Sequence, residues 1–540
     1  MSDLLERLRG IDIRNELGSN PLQQAWAQSG VRFVARSERY TSRYYQAVRE
    51  LFDCIKPAVD NTPILHEGGV YHGCWLESTG TINTELLSRF LPDIATATYE
   101  AFATHQRADG LIPYKLTLQG PGFSQIQLVT PLARCIWNHY RLNNPGREWL
   151  GQMYRAMSRY DDWLASYRNT LGTGAVEAFC TYDTGHDLSP RFWHVPDTPL
   201  GNDAATADPS NPILPFVAPD LTANVVCQRR YLALIARELG AEQNWSDRAG
   251  QTEQALYQQC FHPEDGFFYD RDRHGQVVRL QSDVLLRVLA CEIGDAEFFA
   301  ASLRRYLLNT RKFFPKYPFT SIALDDPRFD PAFDHNSWGG PSNFLSIIRA
   351  PHAFEHHGHH AELTWVMQPI LAALADMETF PQTLNPFTGK AGFTEKYSPS
   401  ILCYLDFVER LSGIMPRSDG TLWFTGLIPK SVIHRQEEHQ TAYGRTVDGT
   451  GFELVNTPTH CTVYRDGNQL YRFPAGLRLV TDRRGQLRAI LSLSARPQSG
   501  QIETNSKIIE FTIEPNQELV FEDGCWQVRR SPGIVYPCYE

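Results

Sequence analysis

Apolar residues recur three and four positions apart along most of the chain between Ser37 and Gly413. This spacing places them on one face of an α-helix, and eleven segments show it. These segments span residues 39–55, 84–107, 124–143, 147–170, 221–239, 245–260, 281–292, 295–309, 342–357, 360–379 and 397–412. A barrel of six helical hairpins has twelve helices, which is one more than these eleven segments. The pattern therefore predicts a mainly α fold with an (α/α)6 barrel.

The connections alternate between short turns and long loops that are rich in aromatic residues, glycine and proline. The long loops span residues 60–80, 108–123, 172–219, 311–341 and 380–396. Loops of this length inside a compact domain usually carry function. Because they recur after every second helix, we expect them to gather at one end of the barrel.

The pattern changes after Pro416, where short runs of β-branched and aromatic residues alternate with turn signals such as Asp466-Gly467-Asn468. These runs predict an all-β module of the sandwich type. The expected domains are an N-terminal arm over residues 1–36, the helical barrel over 37–415 and a C-terminal β domain over 416–540.

Composition and charge narrow the possible partners. The chain of 540 residues has a formal net charge of −10 and no run of lysine and arginine, which argues against a nucleic-acid partner. No stretch approaches the roughly 18 apolar residues of a membrane span. The start at Met1 lacks a secretory signal, so we expect a cytoplasmic protein. The 11 dispersed cysteines fit reduced, buried thiols.

Residues 181–192 are the most informative segment for function. Gly185 permits an unusual backbone angle, Asp187 can accept bonds from nearby amides, and Pro190 blocks a helix. Local chemistry therefore predicts a structured loop. On these residues alone, a turn that Asp187 caps is favoured over a catalytic role.

The same segment resembles the Gly-x-Asp-Asn-Ser-Pro-Arg-Trp/Phe block of glycoside hydrolase family 63 and related processing-glucosidase-like and mannosylglycerate-hydrolase-like enzymes. Only Leu188 departs, because it stands where asparagine is usual. The resemblance implies that Asp187 is the general acid, which protonates the leaving oxygen. It also implies that Arg191 is a partner for a sugar or a carboxylate.

Five further blocks resemble the same family in the same order along the chain. They are residues 73–78, 106–113, 219–224, 265–270 and 337–343. Each block is weakly specific by itself, and 265–270 fits a turn after a helix better than a catalytic role. Their shared order is what carries the resemblance.

The resemblance and the aromatic residues together indicate a set of substrate contacts. Flat aromatic faces suit sugar rings, although large helical cores use them equally. The expected contacts are Trp75, Glu77, Gln106, Asp109, Arg191, Trp193, Trp338 and Tyr397. Departures from the family at Leu76, Glu77, Gly339 and Asn343 argue against an ordinary glucosidase specificity.

A glycosidase of this kind needs a second carboxylate. In the family it lies in a Glu-x-Tyr/Phe-Asn-Pro-x-Thr-Gly motif. The Asn-Pro-x-Thr-Gly core is intact over residues 385–389, but four residues separate Phe380 from Asn385 where the family has none. Glu378 is therefore the first candidate for the general base, and Glu395 is its rival. Without a catalytic role, Glu378 would be a solvated residue at a helix end, and Glu395 would form an exposed ion pair with a nearby lysine.

The run His356-His357-Gly358-His359-His360 has the composition of a metal site. A helix that ends at Gly358 with exposed histidines on both sides explains the run equally well. Because no carboxylate or cysteine lies at a suitable spacing inside it, we predict no metal and no cofactor.

The resemblance implies an inverting hydrolase. The lengths of the loops favour a small glycoside or short oligosaccharide over a polymer, and we expect an α-linkage. Asp187 would donate a proton while Glu378 or Glu395 activates water on the opposite sugar face, with the carboxyls roughly 6.5–9.5 Å apart. Two alternatives stay open. One is a polysaccharide lyase or sugar epimerase on the same barrel, and the other is a non-catalytic sugar-binding derivative.

Overall fold

The computed structural model describes residues 3–127, 131–241, 244–332 and 338–539. Ser337, which begins one of the sequence blocks, lies outside the described residues. The α-helices are α1 (Asp3–Gly10), α2 (Ile13–Leu17), α3 (Leu22–Gln28), α4 (Glu38–Cys54), α5 (Ile82–Leu87), α6 (Pro92–Thr104), α7 (Leu132–Asn143), α8 (Arg147–Tyr167), α9 (Pro219–Leu239), α10 (Trp245–Cys260), α11 (Val284–Leu289), α12 (Ala296–Ser302), α13 (Phe344–Ile347), α14 (Ala350–His357), α15 (His360–Asp376) and α16 (Ser398–Ser412).

Most strands before Ile414 are short. They are β1 (Arg32–Ala35), β2 (Ile55–Pro57), β3 (Pro63–Leu65), β4 (Cys74–Trp75), β5 (Lys115–Thr117), β6 (Gly120–Gly122), β7 (Glu177–Ala178), β8 (Phe216–Val217), β9 (Phe261–His262), β10 (Phe267–Phe268), β11 (Asp270–Arg271), β12 (Val277–Val278), β13 (Ser342–Asn343) and β14 (Thr383–Leu384).

The remaining strands form the β-rich C-terminal region. They are β15 (Ile414–Pro416), β16 (Thr421–Thr425), β17 (Lys430–Ser431), β18 (Gln436–Glu437), β19 (Thr441–Val447), β20 (Thr450–Asn456), β21 (His460–Arg465), β22 (Asn468–Pro474), β23 (Leu477–Asp482), β24 (Leu487–Ser492), β25 (Gln498–Thr504), β26 (Ile508–Ile513), β27 (Glu518–Glu522) and β28 (Cys525–Arg530).

Helix α9 matches its prediction because the signals at both ends are local. Pro219 lies in the first turn, where its missing N–H is not needed, and Gly240 adopts the left-handed conformation after the last turn, with φ 67°. Its apolar stripe is buried, and the helix packs against α7, α8, α10 and α11.

Proline divides two of the predicted helices. Residues 84–107 form α5 and α6, with Pro92 in the first turn of α6. Residues 342–357 contain α13 and α14, with Pro351 in the first turn of α14. A proline disfavours helix at the residue before it and suits a first turn, so the prediction of single helices was wrong here.

Two large antiparallel sheets form most of the C-terminal region, and β17 pairs with β18 in a small third sheet. One large sheet has the order β1-β19-β20-β21-β22-β25-β26 and the other β15-β16-β23-β24-β27-β28. Phe424 of the second sheet meets Phe452 of the first with ring centroids 5.6 Å apart, so apolar side chains of both sheets share one core.

The N-terminal segment packs on this region. Strand β1 pairs with β19, so that Phe33 lies opposite Tyr443. Helix α1 buries Leu4, Leu5 and Leu8 against the same sheet. The domain boundaries after residues 36 and 415 stay a prediction.

Three of the long loops meet. Strands β4 and β5 join loop 60–80 to loop 108–123, and a bridge between Gly68 and Tyr397 joins it to the end of loop 380–396. All 11 cysteines are free thiols, and nine of them are buried. Among the described residues, no helix has the length and apolar character needed to cross a membrane.

Candidate active site

The Asp187 segment is irregular backbone between β7 and β8. Short 3₁₀ turns over Thr181–Asp183 and Pro190–Phe192 bracket it. Gly185 has φ 66° and Leu188 has φ 60°, so both occupy the left-handed region. Leucine rarely adopts this conformation, whereas asparagine tolerates it. The chain therefore holds Leu188 in a conformation that suits the asparagine of the resembling block.

A buried ion pair fixes the start of this segment. Arg168 Nη2 lies 3.1 Å from Asp183 Oδ1, which also accepts the N–H of Ile126 at 3.0 Å. Asp183 Oδ2 accepts the N–H of Phe179 at 2.7 Å. Both charged side chains are fully buried, so the loop is held to the end of α8.

Arg191 fixes the end of the segment. Its Nε and Nη2 donate to Asp270 at 2.6 Å, its Nη1 and Nη2 donate to Asp220 at 2.8 and 2.7 Å, and Nη1 also donates to His186 Nδ1 at 2.8 Å. These bonds use all of the N–H groups of the guanidinium. One side chain thus ties the loop to α9 and to β11.

His186 continues this network as a neutral group. Burial, aided by the charge of Arg287, lowers its pKa to about 4. Since Nδ1 faces an N–H of Arg191, the proton lies on Nε2, which is 3.0 Å from Asp283 Oδ1. Trp338 covers the network, with its ring 4.6 Å from that of His186 and 4.7 Å from Arg287 Cζ.

Three carboxyl groups lie within electrostatic range of the Tyr71 hydroxyl. Burial raises the pKa of the Tyr71 hydroxyl, and the charges of Glu67, Asp187 and Glu77 raise it further. Glu67 and Asp187 also act on the carboxyl of Glu77. The three groups therefore lie within electrostatic range of one another. Asp187 is half-buried, whereas Glu67 and Glu77 are buried.

Glu77 lies directly against the Asp187 segment. A Cβ at Gly185 would come within 2.2 Å of Glu77 Oε1, so only glycine allows this approach. Gln127 Nε2 donates to Glu77 Oε2 at 3.3 Å, and Arg287 Nη2 lies 3.9 Å from Oε1. Burial raises the pKa of Glu77 well above its usual range, although Arg287 opposes this. Burial therefore favours the neutral form of the Glu77 carboxyl.

Glu67 is held by two hydroxyl groups on one of its oxygens. Tyr397 and Ser78 donate to Oε1 at 2.6 and 2.9 Å. Burial raises the pKa of Glu67 to about 7, and the two hydrogen bonds oppose that rise. Among residues 3–127, 131–241, 244–332 and 338–539, none donates to Oε2.

Aromatic rings line the other side of this cluster. Tyr71 meets Trp75, Tyr397 and Phe393 with ring centroids 5.6, 5.9 and 6.2 Å apart. Its hydroxyl donates to Gln382 Oε1 at 3.0 Å. Trp75 is half-buried, so it combines a fixed ring with some exposed surface. The cluster thus offers carboxyl groups and apolar ring surface together, which is what a sugar site requires.

A family model described as the mannosylglycerate hydrolase MGH1-like glycoside hydrolase domain matches residues 71–400. This chain belongs to that family. Membership confirms the resemblance drawn from the sequence blocks, and it identifies the protein as a glycosidase. The matched range contains Asp187 and most of the long loops.

Solved structures show the same fold. The GH63 mannosylglycerate hydrolase of Thermus thermophilus, solved in complex with Tris and D-glycerate, is 17% identical, covers 67% of this chain and 99% of its own, and gives a TM-score of 0.58. Neutral trehalase Nth1 from Saccharomyces cerevisiae is 14% identical over 65% of this chain and 74% of its own, with a TM-score of 0.52. No curated sequence matches the chain.

The carboxylates predicted as the base of this MGH1-like glycosidase are exposed. Glu378 lies beside α4, where Gln46 Nε2 donates to its carbonyl at 3.3 Å. The carbonyl of Lys396, next to Glu395, lies at the end of the same helix, on Cys54 Sγ. Glu378 lies two residues before Phe380, whose carbonyl accepts the N–H of Tyr397 at 2.9 Å, but its own side chain is exposed beside α4.

The family motif also aligns with this chain without an insertion. Counted back from Asn385 in that way, the acidic position falls on Gln382 rather than on Glu378. Gln382 is buried, directly precedes β14 and contacts Tyr71. The chain therefore carries an amide where the family motif has its carboxylate.

Three other residues predicted as substrate contacts, Gln106, Asp109 and Trp193, lie in different surroundings. Gln106 and Asp109 hold a tight turn against α8: Gln106 donates to Ala156 O at 2.8 Å, and Asp109 accepts from Trp163 Nε1 at 3.0 Å. The guanidinium of Arg107 holds the pKa of Asp109 down to about 2. Neither contacts the carboxyl cluster among the described residues. Trp193 is 58% exposed and lies on the surface beyond Arg191.

The histidine run differs from its prediction. Helix α14 does end at Gly358 in the left-handed conformation, but only His356 is exposed. His357 stacks on Phe299 at 4.3 Å, and His359 contacts Glu362 at 2.9 Å. Apolar packing explains most of the run.

Sequence reasoning missed Glu67, Tyr71 and Arg287. The only local signal for Glu67 and Tyr71 is a polar and aromatic pair around Gly68-Gly69 in a long loop. Their environment comes from Tyr397 and Asp187, which are distant in sequence.

Gly185→Ala should reduce turnover strongly, because the new Cβ displaces either the Asp187 backbone or Glu77. Gly201→Ala is the matched control, since Gly201 lies in the same loop with φ 63° and open space around it. We expect both variants to lose roughly 1 kcal/mol of stability from backbone strain. Only Gly185→Ala should also lose kcat/KM, measured on a hydrolysed glycoside. Equal activity in the two variants would contradict the contact.

Proposed function

We propose that this chain is an inverting glycosidase that hydrolyses a small α-linked glycoside or short oligosaccharide, with Asp187 as the general acid. We also propose that α4 to α16 close into an (α/α)6 barrel whose long loops form the site. The observation that carries the function is the grouping of Glu67, Glu77 and Asp187 around Tyr71, beside the half-buried ring of Trp75.

Asp187 suits the role of acid by its position. It is half-buried at the tip of a loop that ion pairs hold on both sides, so its carboxyl is fixed yet reachable. A general acid must reach the leaving oxygen within hydrogen-bond distance. Arg191 acts through this positioning, because its guanidinium is bonded to Asp220 and His186. Trp338 does the same, because its ring packs against His186 and Arg287.

Three carboxylates are candidates for the base, namely Glu378, Glu395 and Glu67, and the geometry favours Glu67, which the motif did not indicate. Gln382 cannot accept a proton from water as a carboxylate does, and Glu378 and Glu395 are exposed. Glu67 is buried in the same cluster as Asp187, with Oε1 held and Oε2 left to accept from water. Its pKa of about 7 suits a base at neutral pH.

Glu77 has a different part in this proposal, because burial favours its neutral form. A neutral carboxyl can donate a hydrogen bond to a sugar hydroxyl, and its contact with Gly185 links that bond to the position of Asp187. Trp75 then supplies the apolar surface for a sugar ring.

Asp187→Asn should lower kcat by about 10²-fold to 10⁴-fold, because the amide keeps the shape but cannot donate the acidic proton. Asp208→Asn is the control, since Asp208 is half-buried in the same long connection and accepts from its neighbour Ser210. Turnover is measured over a panel of α- and β-linked disaccharides and glycosyl-glycerates. Wild-type rates in Asp187→Asn would rule out the assignment, and binding without hydrolysis by the wild type would rule out the activity.

The kcat/KM of the wild type should fall as the pH drops below about 7, because protonated Glu67 cannot act as a base. Glu67→Gln should remove this decrease at acidic pH together with most of the activity. Glu378→Gln and Glu395→Gln are matched controls and should retain both. Loss of activity in a control variant with retention in Glu67→Gln would transfer the role to that residue.

Stability gives an independent check on Glu67. Its folded pKa of about 7 lies above the usual 4.5, so the folded state binds the proton more tightly than the unfolded chain. Wild-type stability should therefore fall as the pH rises from 4.5 through 7, by roughly 3 kcal/mol from this group. Glu67→Gln should lack this decrease in urea unfolding, and an unchanged pH profile would contradict the burial of an ionisable carboxyl.

A further inference from the structure

Outside the carboxyl cluster, a second group of polar side chains converges between α11 and α14. It consists of Glu292, which follows α11, and His352 and His356, which lie one turn apart on α14. Glu292 has φ 64°, a left-handed conformation that is uncommon for glutamate. Strained backbone of this kind concentrates at functional positions.

The three side chains present one ligand atom each at a common point. His352 Nε2 lies 2.8 Å from Glu292 Oε1, and His356 Nδ1 lies 4.0 Å from the same oxygen. All three atoms lie within 4.8 Å of one another. Ligands at about 2.0–2.1 Å from a tetrahedral zinc ion are separated by roughly 3.3 Å, so small rotations of the rings would complete the geometry.

The donor atoms are those of a zinc site. The group offers two imidazole nitrogens and one carboxylate oxygen, and zinc binds both kinds of ligand in proteins.

An outer partner orients the carboxylate. Tyr231 donates its hydroxyl to Glu292 Oε1 at 2.7 Å, and Arg230 Nη1 donates to the carbonyl of Glu292 at 2.8 Å. Metal sites depend on such outer hydrogen bonds to hold their ligands. The carboxylate of Glu292 therefore stays aimed at α14.

The surrounding charges do not exclude a cation. Arg134, Arg230 and Arg530 lie near the group, but Arg134 lies 3.8 Å from Glu85, Arg230 pairs with Glu253 at 2.7 Å, and Arg530 donates to the carbonyl of His356. Glu85 also faces His352 and adds negative charge. The cationic groups are thus largely compensated by carboxylates and carbonyls.

The group opens into a cavity of 370 Å³ between the helical region and the β-rich region. The side chains of Glu292, His352 and His356 are 12%, 25% and 39% exposed, so a hydrated ion can reach them. A cavity of this size also has room for water as a further ligand.

We propose that Glu292, His352 and His356 bind one Zn²⁺ ion, with water in the remaining position. The two imidazoles select a transition metal over Mg²⁺ or Ca²⁺, which prefer oxygen ligands. The ion ties the end of α11 to α14. This site is separate from the residues assigned to hydrolysis, and it changes the expectation that the chain binds no metal.

Zinc binding is measured on the full chain after treatment with a chelator, by equilibrium dialysis against Zn²⁺ with elemental analysis. We expect one tightly bound ion per chain, and a higher midpoint of thermal unfolding when it is bound. Loss of an outer partner alone weakens metal sites by roughly 10-fold to 100-fold, so His352→Ala and His356→Ala should each weaken binding at least that much. His460→Ala, which removes an exposed histidine from β21, should bind as the wild type does.

Binding that survives in the double variant His352→Ala/His356→Ala, or binding no tighter in the wild type than in that variant, would overturn the proposal. Glu292→Gln is a second, nearly isosteric variant in case the alanine variants fail to fold, and it should weaken binding while retaining the circular dichroism of the wild type. Co²⁺ in place of Zn²⁺ should give the visible absorption of a four-coordinate site in the wild type alone. A six-coordinate spectrum identical to that of aqueous Co²⁺ would also overturn it.

Discussion

The site depends on the buried contact between the Arg191 guanidinium and three partners, Asp220, Asp270 and His186. Burying charge in this way costs several kcal/mol per group, and bidentate hydrogen bonds offset much of that cost. These hydrogen bonds therefore fix the position of the loop more than they stabilise the folded protein. All of the guanidinium N–H groups are used, so the loop that carries Asp187 has one position relative to α9 and β11.

The carboxyl groups beside Asp187 follow from the same constraint. Because the loop is fixed, Gly185 can lie against Glu77 at a distance that no other residue allows. Glu77 is then buried, which favours its neutral form, and it acts on the same Tyr71 hydroxyl as Glu67. Burial thus raises the pKa of both glutamates beside Asp187, and shifts of this kind let carboxyl groups act as acids and bases near neutral pH.

The sequence predicted those features whose signals are local. Pro219 and Gly240 mark both ends of α9, and the Asp187 segment is recognisable because its turn residues lie next to one another. Pro92 was equally visible, and the single helix predicted over 84–107 ignored it.

Glu67 could not be found in this way, since its environment is made by Tyr397, which is 330 positions away. The role proposed for Glu378 came from allowing an insertion, and the structure places that residue on the surface. Pairing of β13 with β14 instead brings Gln382 to Tyr71.

The anomeric form of the first sugar released, followed by proton NMR during hydrolysis by the wild-type enzyme, tests the central claim most directly. An acid and a separate base that activates water give inversion, so an α-linked substrate should release the β-anomer first. Release of the α-anomer first would mean that a carboxylate attacks the sugar itself, and would contradict the roles assigned to Asp187 and Glu67.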